Sequence, residues 1–270
     1  MKTDMQSDKK GKKPPVALVL GGSSGLGLAT AKKLAREGFD IIILHRDRNA
    51  DMQAINKEFE TITLNGVRLL ALNKDALNTA VRPEILVAIE AFLGSEGSIK
   101  VMVHSIAKGN LKPMHPINEN SLTNSDFHIT LEAMAISLYD WTKALSESNL
   151  FDADARIVSF TSEGNRRAWR HYAAVSAAKA ALEAITRNIA LEFAPMGIKA
   201  NCIQAGITDT RSFQMIPGHA LLKKNAQSRN PQGRLTAPED VANVVYLLTT
   251  DDARWISGSV IKVDGGESLQ

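Results

Sequence analysis

The sequence predicts an α/β domain: one parallel sheet of seven strands, doubly wound, with helices packed on both faces. Three observations lead there. Short apolar runs rich in β-branched residues recur along the chain, each too short to be a helix. Between the first six lie longer segments with apolar residues at i, i+3 and i+4, which suit the crossover helices that parallel strands need. A glycine-rich turn joins the first run to the first helical segment, and right-handed crossovers complete the winding.

In chain order, residues 1–15 are polar, lysine-rich and without an apolar stretch, and are expected to be a disordered basic tail. The strands are expected at 16–20, 40–44, 68–72, 100–104, 156–160, 200–204 and 259–263, with clear helical spacing at 28–37 and 177–192. Residues 107–121 and 206–232 break the alternation. Both are rich in residues that favour turns, and they follow the fourth and sixth strands, where an open parallel sheet binds its ligands. Nothing resembling a repeat or linker divides residues 16–270, which read as one domain with a substrate-loop insert at about 206–232.

Charge and composition exclude several roles. The tail holds five Lys and two Asp; subtracting these from 32 basic and 29 acidic residues leaves 27 of each sign, so the body has no net charge for nucleic acid. No run approaches a membrane span, so neither partner is expected. The single cysteine, Cys202, cannot form an internal disulfide and fits a reducing, cytoplasmic setting; its neighbours Asn201 and Ile203 read as a buried strand and make it a packing residue rather than a nucleophile. His104, His115 and His171 have no metal-ligand spacing, and no metal is expected.

The first strand runs into Gly21, Gly22, Ser23, Ser24, Gly25, Leu26 and Gly27, then a helix. Glycines at a strand-to-helix turn let the backbone approach a pyrophosphate, and the helix start offers free N–H groups and a favourable dipole. This marks a Rossmann-type dinucleotide site. At the tip of the second strand stand His45 and Arg46, where a carboxylate would favour ribose hydroxyls over a 2′-phosphate. A guanidinium suits the phosphate, so NADPH is expected, with NADH the alternative because Asp47 and Arg48 are placed to pair with or redirect Arg46.

Tyr172 precedes Lys179 by seven residues, just beyond the fifth strand. Seven residues of helix return to within about 20° of the same direction, so phenol and ammonium are expected on one face. An ammonium beside a phenol favours the phenolate, and Lys179 is expected to lower the pKa of Tyr172. Such a pair beside a nicotinamide site suggests a proton donor for hydride transfer.

With Gly21-x3-Gly25-x-Gly27, this Tyr–Lys pair, Asn201 in KANCIQAG and the closing Val263-Asp264-Gly265-Gly266, the chain resembles the short-chain dehydrogenase/reductase family over residues 16–268. Most members carry Tyr-x3-Lys; the Tyr-x6-Lys here resembles the branch of bacterial enoyl-acyl-carrier-protein reductases. Val103-His104-Ser105-Ile106-Ala107 is similar to the motif those enzymes carry after the fourth strand. The resemblance implies NADPH-dependent reduction of the trans-2 double bond of an enoyl thioester in fatty-acid elongation. Reduction of another enone or a carbonyl is the alternative, and a non-catalytic dinucleotide sensor the third reading.

It further implies roles for single residues. Asp75 and Ala76 would contact adenine, and Ser105, Ile106 and Ala107 would line the cofactor. Ala205, Gly206, Thr208 and Thr210 would hold the carboxamide and pyrophosphate, and Lys179 the nicotinamide ribose. Tyr172 would be the donor. Ser162 takes the place of a second tyrosine, as a further hydrogen-bonding group or a structural serine. Lys108 and Gly109 are read as substrate-facing. Phe213, Met215, Ile216, Leu221 and Leu222 would close over an acyl chain or pack the loop onto the core. Lys223, Lys224 and Arg229 would dock an acidic acyl-carrier protein or form a solvated face. The family's helix asparagine is replaced near Met134, which argues against ordinary alcohol–ketone chemistry and against the dienoyl reductases that use that amide. Tyr139-x3-Lys143 fits the common motif but precedes the fifth strand, on a helix expected to pack between subunits of a homotetramer.

Overall fold

A computed structural model describes residues 13–115 and 120–270, so most of the expected tail, residues 1–12, lies outside the described residues. Strand and helix alternate strictly through the first half: β1 (Val16–Leu20), α1 (Gly25–Arg36), β2 (Asp40–His45), α2 (Met52–Thr63), β3 (Leu69–Asn73), α3 (Arg82–Leu93) and β4 (Ile99–His104). There follow α4 (Asn124–Leu131), a π-turn (Glu132–Ile136), α5 (Ser137–Glu147), β5 (Phe151–Ser162), α6 (Ala173–Glu192) and β6 (Lys199–Ala205). Last come α7 (Arg211–Gln214), α8 (His219–Arg229), α9 (Pro238–Thr249) and β7 (Val260–Val263).

All seven strands pair in parallel in the order β3-β2-β1-β4-β5-β6-β7. The order reverses direction between β1 and β4, and the carboxyl ends of these two strands open the crevice used by such sheets. The strands lie close to where the apolar runs put them, with one exception. β5 begins at Phe151 rather than Arg156, because Phe151 already pairs with Ile99 ahead of a register shift to Val101 and Arg156; Arg156, although charged, is buried, with its guanidinium bonded to Asp154 and to the carbonyl of Leu248.

Strand alternation divides the core in two. Leu18, Leu20, Ile42 and Leu44 point to one face with Trp141 and Leu182, while Ala17, Val19, Ile41 and Ile43 point to the other with Leu34, Phe59 and Val245. Both faces are apolar because both are covered, which is why the central strands read as continuous hydrophobic runs. A third, smaller cluster joins Tyr172, Val175, Phe213, Ile216 and Ala226 above the strand ends. It ties the insert to the domain.

Candidate active site

Beyond the carboxyl ends of the strands lies one cavity of about 730 Å³. Gly21 shapes its floor: its φ of +85° belongs to the left-handed region, and a Cβ there would stand 2.6 Å from the carbonyl oxygen of Ser105. Gly27 has a different task. Its Cβ would meet the Gly21 carbonyl oxygen at 2.2 Å, so this glycine lets α1 sit directly on the turn and does not itself line the cavity. Gly21, Ser23, Ser24, Gly25 and Leu26 do line it. Ser24 caps α1 without using its side chain, and no acidic residue occupies the first turn, so the free N–H groups of α1 stay available to an anion.

At the end of β2, His45 is buried and its Nδ1 lies 2.8 Å from Asp47 Oδ2. Arg46 is mostly exposed and donates to Asp75 at 3.0 Å, so its first partner is Asp75 rather than Asp47. Arg48 and Lys74 border the same end of the cavity. Ala76, Ser105, Ile106, Ala107, Lys108 and Gly109 line the cavity as well, and the loop after β6 adds Ala205, Gly206, Thr208 and Thr210. These residues fit a dinucleotide: a close-approach turn, an open helix start and a cationic rim converge on one elongated space.

At the inner end, Tyr172 is buried and its hydroxyl lies 3.2 Å from Ser162 Oγ. Lys179 is also buried and donates to the carbonyl of Phe160 at 2.6 Å. Tyr172, Ser162 and Lys179 all face the cavity, but Tyr172 is not part of the helix. It is the residue capping α6, with φ −114° and ψ 4°, and the preceding His171 takes the left-handed φ of 62° that turns the chain inward. The expected electrostatics need correcting as well. Burial raises the pKa of Tyr172, opposed only by the hydrogen bond with Ser162, and Lys179 does not depress it. The ammonium is itself disfavoured, since burial pushes Lys179 down to about 8.

Phe213, Met215 and Ile216 line the cavity from α7 and the turn after it. Leu221 does not: it is 64% exposed, whereas Leu222 and Ala226 turn inward, because one helical step rotates the side chain by about 100°. The basic residues of α8 are partly spent. Lys223 pairs with Asp209, and Arg229 donates to Glu267 at 2.9 Å and to Glu163 at 3.1 Å, leaving exposed Lys224 without a partner among the described residues. No group of three His, Cys, Asp or Glu among the described residues gathers to hold a metal, and no described helix is long and apolar enough to cross a membrane.

A family model described as enoyl-(acyl carrier protein) reductase matches residues 21–268, nearly the whole described domain. The chain belongs to the short-chain dehydrogenase/reductase family. It is 29% identical over 261 residues to a (2S)-[(R)-hydroxy(phenyl)methyl]succinyl-CoA dehydrogenase subunit of Thauera aromatica, covering 94% of this chain and 96% of the relative. It is 28% identical over 252 residues to a peroxisomal 2,4-dienoyl-CoA reductase of Mus musculus, covering 93% and 82%. Enoyl-acyl-carrier-protein reductase (NADH) from Aquifex aeolicus VF5 superposes with a TM-score of 0.80 at 25% identity, covering 95% of this chain and 97% of that one.

As a short-chain dehydrogenase/reductase, the chain has two Tyr–Lys pairs to choose between. Tyr139 is 43% exposed on α5 and Lys143 pairs with Glu147, so neither borders the cavity. Asn201 is structural: its amide donates to the Ile256 carbonyl and accepts from the Ser259 N–H, fixing the approach to β7. Three features escaped the sequence. Trp169 lines the cavity with its ring 5.0 Å from that of Tyr172. Met134 and Val175 form an apolar wall against Gly109, where an added Cβ would stand 2.5 Å from Val175. Glu267 accepts from the Ile207 N–H and so holds the loop after β6. Trp169 had a sequence signal, an aromatic three residues before the tyrosine, and so had Met134, which stands where the family carries an asparagine.

Proposed function

We propose that this short-chain dehydrogenase/reductase reduces the trans-2 double bond of an enoyl thioester borne by acyl-carrier protein, with NADPH as its reductant. One observation carries the reading: the buried Tyr172 hydroxyl, paired with Ser162, shares its cavity with Lys179 and the glycine-rich turn after β1. When bound, the dinucleotide supplies the hydride. Conjugate reduction then gathers negative charge on the thioester oxygen, and a donor must already stand there. Tyr172 is that donor. Its raised pKa keeps it protonated at neutral pH, ready to give rather than accept. Ser162 orients the phenol. Lys179 would hold the nicotinamide ribose hydroxyls, and Met134, Val175, Trp169, Phe213 and Ile216 offer the acyl chain an apolar slot that excludes water.

Arg46 is assigned to the 2′-phosphate, with Arg48 and Lys74 around it. The partner is taken to be an acidic carrier protein met by Lys108 and Lys224, and assembly a homotetramer packed through the apolar side chains exposed on α4–α6, among them Ile129, Tyr139 and Leu191. A cytoplasmic setting agrees with the one buried, unpaired cysteine.

Tyr172→Phe is expected to cut turnover of a crotonyl thioester by roughly 10²-fold or more while NADPH still binds. Near-normal turnover would remove the donor role. Arg46→Ala is expected to raise the KM for NADPH more than that for NADH; an unchanged ratio takes the 2′-phosphate away from this residue. A second reading, reduction of a ketone, is favoured by the likeness to the Thauera dehydrogenase. Nicotinamide absorbance with C4 to C8 enoyl thioesters against ketone controls separates the two.

A further inference from the structure

The imidazole at the end of β4 has a nitrogen with no part in the reaction so far. His104 is 1% exposed, and its Nε2 lies 2.8 Å from Ser137 Oγ. Ser137 has a single hydroxyl hydrogen and donates it to the Ala133 carbonyl at 2.8 Å. The hydroxyl must therefore accept from His104. That places the imidazole proton on Nε2 and leaves Nδ1 as a lone pair. Burial, with the charge of Lys179, pushes the ring down to about 3, so it is neutral at physiological pH. No donor among the described residues reaches Nδ1, and a buried acceptor left without a donor is costly.

The fold brings this lone pair and the ammonium of Lys179 to one space. His104 sits opposite Ser159 in the β4–β5 register, Lys179 donates to the carbonyl of the next residue, Phe160, and both side chains line the cavity. An ammonium has three N–H groups, of which Phe160 takes one. A lone pair and spare N–H groups that share a space without bonding each other call for a molecule able to donate to the first and accept from the second. Water does both.

Resting on the enoyl-reductase reading, we propose that His104 is a positioning residue: through one buried water, its Nδ1 anchors the Lys179 ammonium and preserves its charge. The water donates to Nδ1 and accepts from Nζ. A hydrogen bond to the charged form favours that form, opposing the burial that disfavours it. The other titratable groups around Lys179 are Tyr172 in the same cavity, Cys202 on β6 and Glu183 one turn along α6. Of these, Cys202 alone acts on the ammonium appreciably. Glu183 is occupied by Thr161 and Asn165. No neighbour thus supplies the full counter-charge that would make a water anchor redundant.

Two measurements on the full chain decide it. Nitrogen-15 NMR of histidine-labelled protein is expected to show His104 as the Nε2–H tautomer, and the Nδ1–H tautomer would overturn the proposal. The pH dependence of NADPH affinity is then compared in wild type, His104→Leu and His104→Asn. His104→Leu removes the acceptor and is expected to move the alkaline limb to lower pH by roughly one unit, the scale of one hydrogen bond to a charged group. His104→Asn returns an acceptor oxygen near the Nδ1 position and is expected to restore most of that shift. An unmoved limb in the leucine variant, or an equal shift in both, overturns the proposal. Should the leucine variant fail to fold, His104→Ala, which also lacks the acceptor, takes its place in the comparison, and the tautomer decides independently. Since the affinity limb needs no acyl substrate, failure to turn over enoyl thioesters counts against the proposed reaction and leaves this test standing.

Discussion

Tyr172 is held by geometry more than by charge. A left-handed His171 turns it inward, Trp169 covers its ring and Ser162 meets its hydroxyl, while burial raises its pKa. The one group that lowers that pKa is Ser162, so Ser162→Ala is expected to drive the phenol higher still and make it a poorer donor. Turnover should fall roughly tenfold, the worth of one hydrogen bond, and an ultraviolet titration of the phenol should move upward in parallel. Turnover that falls with no movement of the titration would make Ser162 a substrate contact instead. The motif's spacing located this pair in the sequence. Its electrostatics were not legible there, because desolvation depends on what covers a side chain, and beside the neighbouring Trp169 that cover comes from Phe213 and Ile216 of the insert, some forty residues on.

At the scale of elements, the last turn of α8 is fastened to two other segments. Arg229 reaches Glu163 just after β5 and Glu267 near the end of the chain, and Glu267 in turn holds the Ile207 N–H. Arg229→Met leaves two carboxylates facing each other, with an expected loss of about 2 kcal/mol in stability and a raised KM for substrate, since the loop after β6 loses its tether. The pH dependence follows from sign. Burial already raises the pKa of Glu267, so its charged form is the costly one, and that cost is relieved as pH falls and the carboxyl protonates. The melting-temperature gap between wild type and Arg229→Met should therefore narrow on acidification; a gap that widens would rule the carboxylates out. Elements with a strong period were readable: every strand of the sheet except the early start of β5, and the long α6, lie within a few residues of their apolar patterns. α8 is different. Its apolar and basic residues are mixed around the axis, so which of Leu221 and Leu222 faces inward, and that Arg229 is consumed internally, was decided by partners distant in sequence.

For the molecule as a whole, Lys179 makes fold stability oppose function. Its pKa is about 8 in the folded state and near 10.5 when unfolded, so the unfolded chain binds more protons between those values. The contribution of Lys179 is full above the unfolded value and is lost as pH falls through about 8, a span worth about 3 kcal/mol. Tyr172 and Cys202 titrate in the opposite sense, their folded pKa values being raised, so the term is best isolated by difference. Lys179→Met is expected to be more stable than wild type at pH 7, with the advantage shrinking toward pH 10, and to lack turnover. Equal denaturant midpoints across that range would remove the buried charge as a cost. The sheet topology has one more consequence. Pairing β1 with β4 joins segments some eighty residues apart, and the cavity draws on the ends of β1, β2, β4, β5 and β6. During synthesis, therefore, no partial product assembles a competent nucleotide crevice. Dinucleotide capture by a ribosome-bound chain would begin only after β6 has emerged, which makes it a marker of completed assembly.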